Sequence, residues 1–353
     1  MGAMVKDTIL YTHSVKSSFV RKDLELLESN FQVRKFYFDP SSKPLTTIIF
    51  LKQFFYLLWN LKRTSLYITQ FAGYQSFLPA LFSRIFKKPS LIVLGGSDCV
   101  SFASFKYGNF NKKLLGRFTK WSYNYSSHLA PVADELIYGE WTYYPVDGQF
   151  QGVKVFAPKA KIDYRVIPYG YSSDLFKRTH EKIENTFLMV GYLNSANYYR
   201  KGVDMIISLA KAKPELKFTI IGGAAEDLPD VQIPTNITMI KSLSYEELQN
   251  YYSQFKYYLQ ISICEGFPSA LCEAMLCECI PIVSDVAAMP HIVGETGYIL
   301  KKRSESEFER LVERILSHSN SSKAHDCRAR IIEHYPLNRR QELIDYIKEI
   351  IGN

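Results

Sequence analysis

The sequence lacks the marks of membrane-spanning and secreted proteins. It contains no uninterrupted run of eighteen apolar residues, so it predicts no membrane-spanning helix. It shows no secretory signal either, because a strand-like segment at residues 7–11 follows the N-terminus almost at once. Six cysteines in 353 residues do not suggest a disulfide framework. We therefore expect a cytoplasmic protein.

Paired cysteines with C-x2-C spacing are also absent, although four cysteines crowd into residues 264–279. No histidine stands near them at ligand spacing, which disfavours a metal site. Small buried thiols that pack a helix against a sheet are the better interpretation of this cluster. We predict that the chain binds no metal.

Two further classes of ligand are disfavoured by missing features. Gly222 and Gly223 end a predicted strand, but the complete G-x-G-x-x-G loop of nicotinamide-dependent dehydrogenases is absent. The net charge of +8 is spread over a large chain without a nucleic-acid recognition motif. We expect neither a dinucleotide cofactor nor a nucleic-acid partner.

What the sequence does contain is a regular alternation of strand-like and helical segments. This pattern predicts α/β domains with parallel sheets, and the length of the chain predicts two of them. The predicted strands lie near residues 7–11, 32–37, 65–69, 90–94, 128–132, 164–167, 186–191, 217–221, 237–240, 257–261 and 280–283. The predicted helices of the second half lie at residues 203–213, 244–254, 269–278 and 305–318, with a linker at 170–183 and a helical tail at 336–352.

The most informative segment is residues 262–297, which carries two carboxylates, Glu265 and Glu273, eight positions apart. Gly266 allows a tight turn and a close approach to a ligand. Pro268 suits the first turn of a helix, whose N–H groups form a ready site for a phosphate. Glu273 falls just over one turn into that helix, where its two oxygens suit a vicinal diol such as a ribose. Glu265 stands at the strand-to-helix junction, where it can meet a sugar attached to the phosphate.

This segment resembles the E-x7-E signature of retaining glycosyltransferases of the GT-B fold, most closely glycosyltransferase family 4. Further motifs of that family have similar counterparts in order along the chain: PIVS at residues 281–284, ETGY at 295–298, VIPYGY at 166–171, VG at 190–191 and RKGVD at 200–204. The resemblance is strong over residues 165–300 and weak before them.

The resemblance implies two Rossmann-like domains that face each other across a cleft. Residues 1–168, joined by the helix at 336–353, would bind the acceptor, and residues 169–335 would bind a nucleoside diphosphate sugar of the UDP or GDP type. Glu273 would hold the ribose and Glu265 the sugar hydroxyls. Further donor contacts would come from the backbone of Gly266, Phe267, Pro268, Ser269 and Ala270, from Gly191, and from Lys241 and Leu243 beside the base.

The expected phosphate contacts depart from the family pattern. Tyr192 stands where the family has an arginine, and an insertion at residues 194–199 precedes Arg200 and Lys201. Lys201 matches the family lysine, and Arg200 can restore the missing charge on the diphosphate. A solvated Arg-Lys pair is the alternative, although cations at a helix start oppose its dipole. No D-x-D pair occurs, so the resemblance implies a metal-independent transferase without a cofactor.

The first half departs from the family at the acceptor side. Where the family often has a histidine before a glycine and an aspartate, this chain has Gly95, Gly96 and, after Ser97, Asp98. Asp98 can accept a proton or a hydrogen bond from an acceptor hydroxyl, or it can cap a helix. His13 lies in the first loop, where a surface or core role is the simpler interpretation.

The apolar, aromatic helix predicted at residues 47–62 and the basic residues of the first half suit an anionic membrane surface and a lipid-diphosphate acceptor. An ordinary buried helix with a solvated basic face remains the alternative. Together with these features, the resemblance implies a retaining transferase that acts on a glycan or lipid-linked glycan in surface polysaccharide synthesis, peripherally at the inner face of the membrane. A non-catalytic GT-B partner subunit and a phosphorylase or epimerase of the same fold are the alternatives.

Overall fold

The computed structural model describes residues 6–39, 45–318 and 321–352. The chain divides into two compact units. The first comprises the described residues up to Gly139, the segment Phe150–Pro168 and the described residues from Arg340 onward. The second comprises Glu140–Gln149 and Tyr169–Arg339. The segment Glu140–Gln149 therefore lies outside the first unit, whereas the sequence analysis assigned all of residues 1–168 to one domain.

The first unit is built on a six-stranded parallel sheet. Its strands are β1 Thr8–His13, β2 Gln32–Tyr37, β3 Leu66–Gln70, β4 Ser90–Leu94, β5 His128–Pro131 and β8 Asp163–Tyr164, and the short strands β6 Gly139–Glu140 and β7 Phe150–Gln151 stand outside this sheet. The strand order is β2-β1-β3-β4-β5-β8. Because helices cover such sheets, β3 and β4 are buried along their whole length.

The helices of the first unit are α1 Ser18–Asn30, α2 Thr46–Asn60, α3 Tyr74–Phe86, α4 Lys113–Tyr125, α5 Val153–Phe156 and the last helix of the chain, α12 Gln341–Gly352. Leu343, Ile344 and Ile347 of α12 are buried in the same hydrophobic core as the strands β1, β3 and β4. A buried ion pair holds the start of this helix, since Arg340 Nη2 lies 2.7 Å from Asp23 Oδ2. The tail predicted at 336–352 as one helix begins instead with a short 3₁₀ turn at Leu337–Arg340.

The second unit contains a second six-stranded parallel sheet. Its strands are β9 Ile183–Val190, β10 Lys217–Ile221, β11 Ile237–Ile240, β12 Phe255–Gln260, β13 Ile280–Ser284 and β14 Tyr298–Leu300. The strand order is β11-β10-β9-β12-β13-β14. Its helices are α6 Val203–Ala212, α7 Tyr245–Gln254, α8 Ser269–Leu276, α9 Met289–Val293, α10 Glu305–Leu316 and α11 Ser321–His334.

The α/β class and the parallel sheets confirm the sequence-based prediction, and each predicted strand overlaps an observed one. The edge strand β14 was not predicted, because three residues are too few to show an alternation of apolar and polar side chains. Among the described residues, no helix combines the length and apolar character that crossing a bilayer requires. All six cysteines are buried and unbridged.

Both sheets contain a topological switch point, where successive connections leave in opposite directions. In the first sheet it lies between β1 and β3, and in the second between β9 and β12. Loops at the carboxyl ends of such neighbouring strands diverge and leave a crevice that commonly binds ligands. Each unit therefore has a defined place in which to look for a site.

Candidate functional site

The switch point of the second sheet brings together residues from two signature motifs. Gly191 directly follows β9, and the loop that contains Glu265 follows β12. Lys201, which lies just before α6, reaches this loop, and a Cβ added to Gly191 would stand 3.5 Å from its Nζ atom. The absence of a side chain at 191 therefore keeps the floor of the crevice open beside the lysine.

Lys201 and Glu265 form a close, largely buried ion pair. Lys201 Nζ donates to Glu265 Oε1 at 2.6 Å, and the two side chains are only 13% and 14% exposed. Burial by itself raises the pKa of the Glu265 carboxyl, but the charges of Lys201 and Arg200 outweigh it and hold that pKa below its usual range. The site therefore presents an ionised carboxylate and two cations at one point.

Arg200 lies on the same side of the crevice. Its Nη1 atom donates to the carbonyl oxygen of Cys264 at 3.0 Å and stands 3.8 Å from Glu265 Oε1. Its side chain is mostly buried, which does not fit the alternative of a solvated Arg-Lys pair. Both cations are thus fixed to the loop that contains Glu265.

The turn after Glu265 leads directly into α8. Pro268 is the N-cap residue of that helix, with an extended backbone, and α8 begins at Ser269. Ser269 Oγ accepts a hydrogen bond from the Tyr171 hydroxyl at 3.0 Å, and the Phe267 ring stacks on Tyr171 with an interplanar angle of 12°. The first backbone N–H groups of α8, including that of Ala270, consequently begin at the carboxyl edge of the sheet, beside Gly266.

Glu273 lies one turn into α8, as the spacing predicts, and is half-buried among tyrosines. The Tyr252 hydroxyl donates to its Oε2 atom at 3.4 Å. Burial raises the pKa of Tyr252 well above its usual value, and the negative charge of Glu273 raises it further. The same two causes raise the pKa of Tyr245. These phenols therefore stay protonated and can donate to the carboxylate.

The remaining residues predicted to contact the donor lie along the same sheet edge. Lys241 directly follows β11 and is exposed, and Leu243 is half-buried just before α7. Tyr192, which stands where the family has an arginine, is 73% exposed. The insertion after it is a compact turn, in which Asn194 and Asn197 each accept the other's backbone N–H.

The first unit gives Asp98 a different environment from the one predicted. The side chain is fully buried and accepts hydrogen bonds from the backbone N–H groups of Ala72, Gly96 and Gly95 at 2.9, 3.0 and 3.3 Å. Burial raises its pKa, and those N–H groups oppose the rise. Residues 96–99 form a turn rather than a helix start, so Asp98 is not a helix cap. Its hydrogen bonds join the loops after β3 and β4, and its side chain is shielded from solvent.

Gly95 and His13 also lie against other residues of the first unit. A Cβ at position 95 would stand 1.8 Å from the Phe71 ring, so that ring fills the space of a side chain there. His13 ends β1, its Nδ1 atom lies 2.9 Å from the carbonyl oxygen of Val15, and its ring packs near Tyr37. Both residues belong to the first unit, whereas Lys201 and Glu265 belong to the second.

The sequence analysis missed the polar residues that support Glu265 from below. Gln260 Nε2 lies 3.3 Å from Glu265 Oε1 and 3.0 Å from the Ser262 hydroxyl, and Tyr258 donates to Gln260 Oε1 at 3.1 Å. Gln260 and Ser262 alternate with apolar residues at the end of a buried strand. Polar residues at such positions are a signal that could have identified them.

Comparisons with known proteins agree with this architecture. The structures of sucrose-phosphate synthase from Thermosynechococcus elongatus and of Anabaena Alr3699/HepE in complex with UDP and glucose superimpose with TM-scores of 0.71 and 0.65. They are 14% and 12% identical in sequence, cover 98% and 97% of this chain, and are themselves covered completely. The protein thus has the GT-B fold of glycosyltransferase structures, two parallel sheets of six strands each.

The match to a protein family lies in the second unit. Residues 172–334 match the family described as glycosyl transferases group 1. Two curated relatives are components of phosphatidylinositol N-acetylglucosaminyltransferases. The one from Homo sapiens is 30% identical over 146 residues, and the gpi3 component from Schizosaccharomyces pombe is 25% identical over 138 residues. These matches cover 38% and 36% of this chain, which spans only 28% and 30% of the two relatives.

Proposed function

We propose that the protein is a retaining glycosyltransferase that moves a sugar from a nucleoside diphosphate sugar to a glycan or lipid-linked glycan. The observation that carries the proposal is the buried Lys201–Glu265 pair beside Arg200, where the helix α8 begins. Two cations and a helix N-terminus offset the charge of a departing diphosphate. An ionised carboxylate next to them accepts hydrogen bonds from sugar hydroxyls.

The roles of the individual residues follow from their positions. Arg200 and Lys201 bind the diphosphate, and Glu265, which they hold ionised, binds the hydroxyls of the sugar. Glu273 binds the ribose, because it lies one helical turn beyond the phosphate position and has two acceptor oxygens. Lys241 and Leu243 lie at the end of β11 and contact the base through their backbone. A UDP or GDP donor fits this arrangement, and UDP is the nucleotide in the Anabaena Alr3699/HepE structure.

The reaction needs no protein nucleophile in this proposal. The bond between the anomeric carbon and the diphosphate oxygen breaks, and the acceptor oxygen forms its new bond on the same face of the sugar. The proton of the acceptor hydroxyl passes to a diphosphate oxygen, which leaves with the nucleotide. The two cations supply the charge that a metal ion provides in other transferases, so turnover should persist in EDTA.

The acceptor side is proposed from the first unit. A glycan on a lipid carrier fits the exposed apolar helix α2, and an anionic membrane surface fits the basic residues around it. Synthesis of a surface polysaccharide at the inner face of a membrane is the setting that these features favour.

Nucleotide binding is the first test. A thermal-shift panel with UDP, GDP and their sugar conjugates should show one base stabilising the protein, by about 2.7 kcal/mol at a hundred times its dissociation constant. The Glu273→Ala variant should lose most of that shift, whereas Glu278→Ala, farther along the same segment, should keep it. No shift with any nucleotide would refute the proposal.

A non-catalytic partner subunit is the second candidate. It is favoured by the Phe71 ring, which occupies the space where the family often places a histidine side chain at position 95. Nucleotide-sugar binding without transfer to any acceptor would support this candidate over the transferase. Release of free nucleoside diphosphate on addition of an acceptor would exclude it.

A further inference from the structure

The first unit contains a large pocket at the switch point of its own sheet. The cavity has a volume of about 940 Å³ and is lined at its base by the loops that follow β1 and β3, including Val15 and Phe71. Phe50 of α2 and Phe118 of α4 form its walls. Ligand pockets of proteins commonly have volumes of about 300–1,000 Å³, so this one can hold a sizeable organic group.

Most of the lining surface is apolar, although several hydroxyl groups also line it, and its side-chain amides already form hydrogen bonds within the protein. Asn109 Nδ2 donates to the carbonyl oxygen of Ala72 at 2.8 Å and to the Thr119 hydroxyl at 3.1 Å. Gln75 Nε2 donates to the carbonyl oxygen of Phe71 at 3.0 Å. A sugar needs many hydrogen-bond partners when it leaves water, and these amides have few donors left for it. The lining therefore fits a hydrocarbon better than a carbohydrate.

The mouth of the pocket lies at the first turns of α2 and α4. Thr47, Lys112 and Leu114 line the pocket and are also exposed. Among the described residues that line the pocket, Lys112 is the one with a charged side chain, and none of them is a carboxylate. A ligand with an apolar body and an anionic head fits these surroundings.

The surface next to the mouth is unusually apolar. On α2, Leu51, Phe55, Leu58 and Trp59 are exposed by 54%, 63%, 46% and 84%. With Ile48 and Phe54, six large apolar side chains are exposed on this helix. Together they form the kind of surface that contacts a partner or a membrane. The helix α2 packs next to α3 through the Phe54 and Phe82 rings, 5.5 Å apart, so this surface belongs to an ordered helical layer.

The net charge of the sequence around the pocket indicates which kind of partner fits this surface. Residues 40–133 contain twelve lysines and arginines but a single acidic residue, Asp98, which is fully buried. The net charge of this stretch exceeds that of the whole chain, which is +8. A surface that combines exposed apolar side chains with a large excess of cations over carboxylates is complementary to anionic lipid. It is poorly suited to a second copy of itself, because like charges would face each other.

We propose that the pocket binds the hydrocarbon chain of a lipid phosphate, with the phosphate at Lys112, and that the exposed face of α2 lies on the membrane from which the lipid is drawn. The role of this lipid as the carrier of the acceptor rests on the proposed transferase function. The binding itself does not, because every residue of the pocket belongs to the first unit.

The test is direct binding of farnesyl phosphate to the full chain, by calorimetry below the aggregation concentration of the probe. Two variants narrow the pocket: Leu115→Trp fills it, and Thr47→Trp narrows its exposed rim. Each should weaken binding by about tenfold or more, because a filled apolar site excludes its ligand. The matched control Ile85→Trp adds the same side chain at an exposed position of α3 outside the lining and should bind like the original chain.

A second pair of variants tests the anionic head. Lys112→Glu should weaken farnesyl phosphate binding by about fivefold. It should leave farnesol binding unchanged, whereas Lys113→Glu, the exposed neighbour outside the lining, should alter neither. Inorganic phosphate alone should not compete.

Three outcomes would overturn the inference. The first is no binding of farnesyl phosphate, and the second is equal affinity of the original chain and of the Leu115→Trp and Thr47→Trp variants. The third is competition by a lipid-free oligosaccharide but not by farnesol. Circular dichroism and thermal unfolding of each variant separate loss of the pocket from loss of the fold. A chain that binds farnesyl phosphate but no nucleotide would refute the proposed transferase and leave the lipid pocket intact.

Discussion

The two switch points of this molecule share a topology and differ in chemistry. Between β9 and β12, the crevice holds Lys201, Arg200 and Glu265 within one network of charges. Between β1 and β3, the corresponding crevice is walled by aromatic rings, and the nearby carboxylate of Asp98 accepts hydrogen bonds from backbone N–H groups. The fold thus fixes where a ligand binds, and the side chains at the strand ends decide what kind of ligand that is.

The comparison is sharpest at the two buried carboxylates, Glu265 and Asp98. Glu265 accepts hydrogen bonds from side chains, one of them cationic, and cations can rearrange around an incoming ligand. Asp98 accepts hydrogen bonds from backbone N–H groups, which are fixed by the loops themselves. The surroundings of Glu265 therefore allow a ligand to replace its partners, whereas those of Asp98 stabilise the two loops that it joins.

The largest effect is expected from Glu265→Gln, which keeps the size of the side chain and removes its charge. Turnover should fall by about a hundredfold or more, because the contact to the sugar and the ordering of Lys201 are both lost. Steady-state kinetics with the donor identified by thermal shift measure this. The control is Glu278→Gln, which breaks only the Arg178 pair at the far end of the segment. Turnover within twofold of the original would remove Glu265 from the active site.

Asp98→Asn tests the other side of the comparison. The amide cannot accept all the backbone hydrogen bonds that the carboxylate accepts, so we expect a loss of about 2 kcal/mol in the free energy of unfolding. Nucleotide affinity should stay unchanged, since Asp98 and the nucleotide residues belong to different units. Denaturant titration and nucleotide binding measure the two quantities. A stable variant with impaired turnover would restore the catalytic role predicted from the sequence.

Glu273→Gln should have a smaller effect, on binding rather than on turnover. Loss of the charge that faces the ribose should weaken nucleotide affinity by about tenfold, because hydrogen bonds to a charged group contribute about 1.5–3 kcal/mol. Isothermal calorimetry with the free nucleotide measures it. Tyr252→Phe removes the hydroxyl that donates to Glu273 and should reduce nucleotide affinity by a smaller factor. Equal affinity in the original and Glu273→Gln chains would contradict the ribose assignment.

The smallest effect concerns pH. The folded chain holds the pKa of Glu265 below its usual value of about 4.3, so the stabilisation from its pairing is complete above that pH. It is lost as the pH falls through the lower pKa of the folded state. The difference in thermal stability between the original chain and Glu265→Gln should therefore be constant from about pH 5 to 8 and shrink below about pH 4. A difference that already changes near pH 6 would contradict the ion pair.

Much of this architecture could be predicted from the sequence because it depends on local patterns. Apolar runs of about four to eight residues located the strands, and the spacing of Glu265 and Glu273 placed one before α8 and the other one turn into it. The expected burial of the cysteines near residue 272 also agrees with the structure.

The remainder depends on contacts between residues that are distant in the sequence. The Lys201–Glu265 pair joins residues 64 positions apart, and the Phe71 ring fills the space beside Gly95 from the loop after β3. Asp98 accepts the N–H of Ala72, which is 26 positions away. No periodicity encodes such contacts, so the sequence left the role of Asp98 open between two alternatives, neither of which matches its surroundings.

The last helix has a consequence for how the protein is made. Leu343, Ile344 and Ile347 complete the hydrophobic core to which β1 contributes, and Arg340 is paired with Asp23, 317 positions earlier. During synthesis on a ribosome, the segment Tyr169–Arg339 emerges before these partners and can fold first, while the earlier segment waits with an uncovered apolar face. Premature termination after Arg339 would therefore leave the first-made part of the polypeptide unfinished and prone to aggregate, although the part made later would be whole.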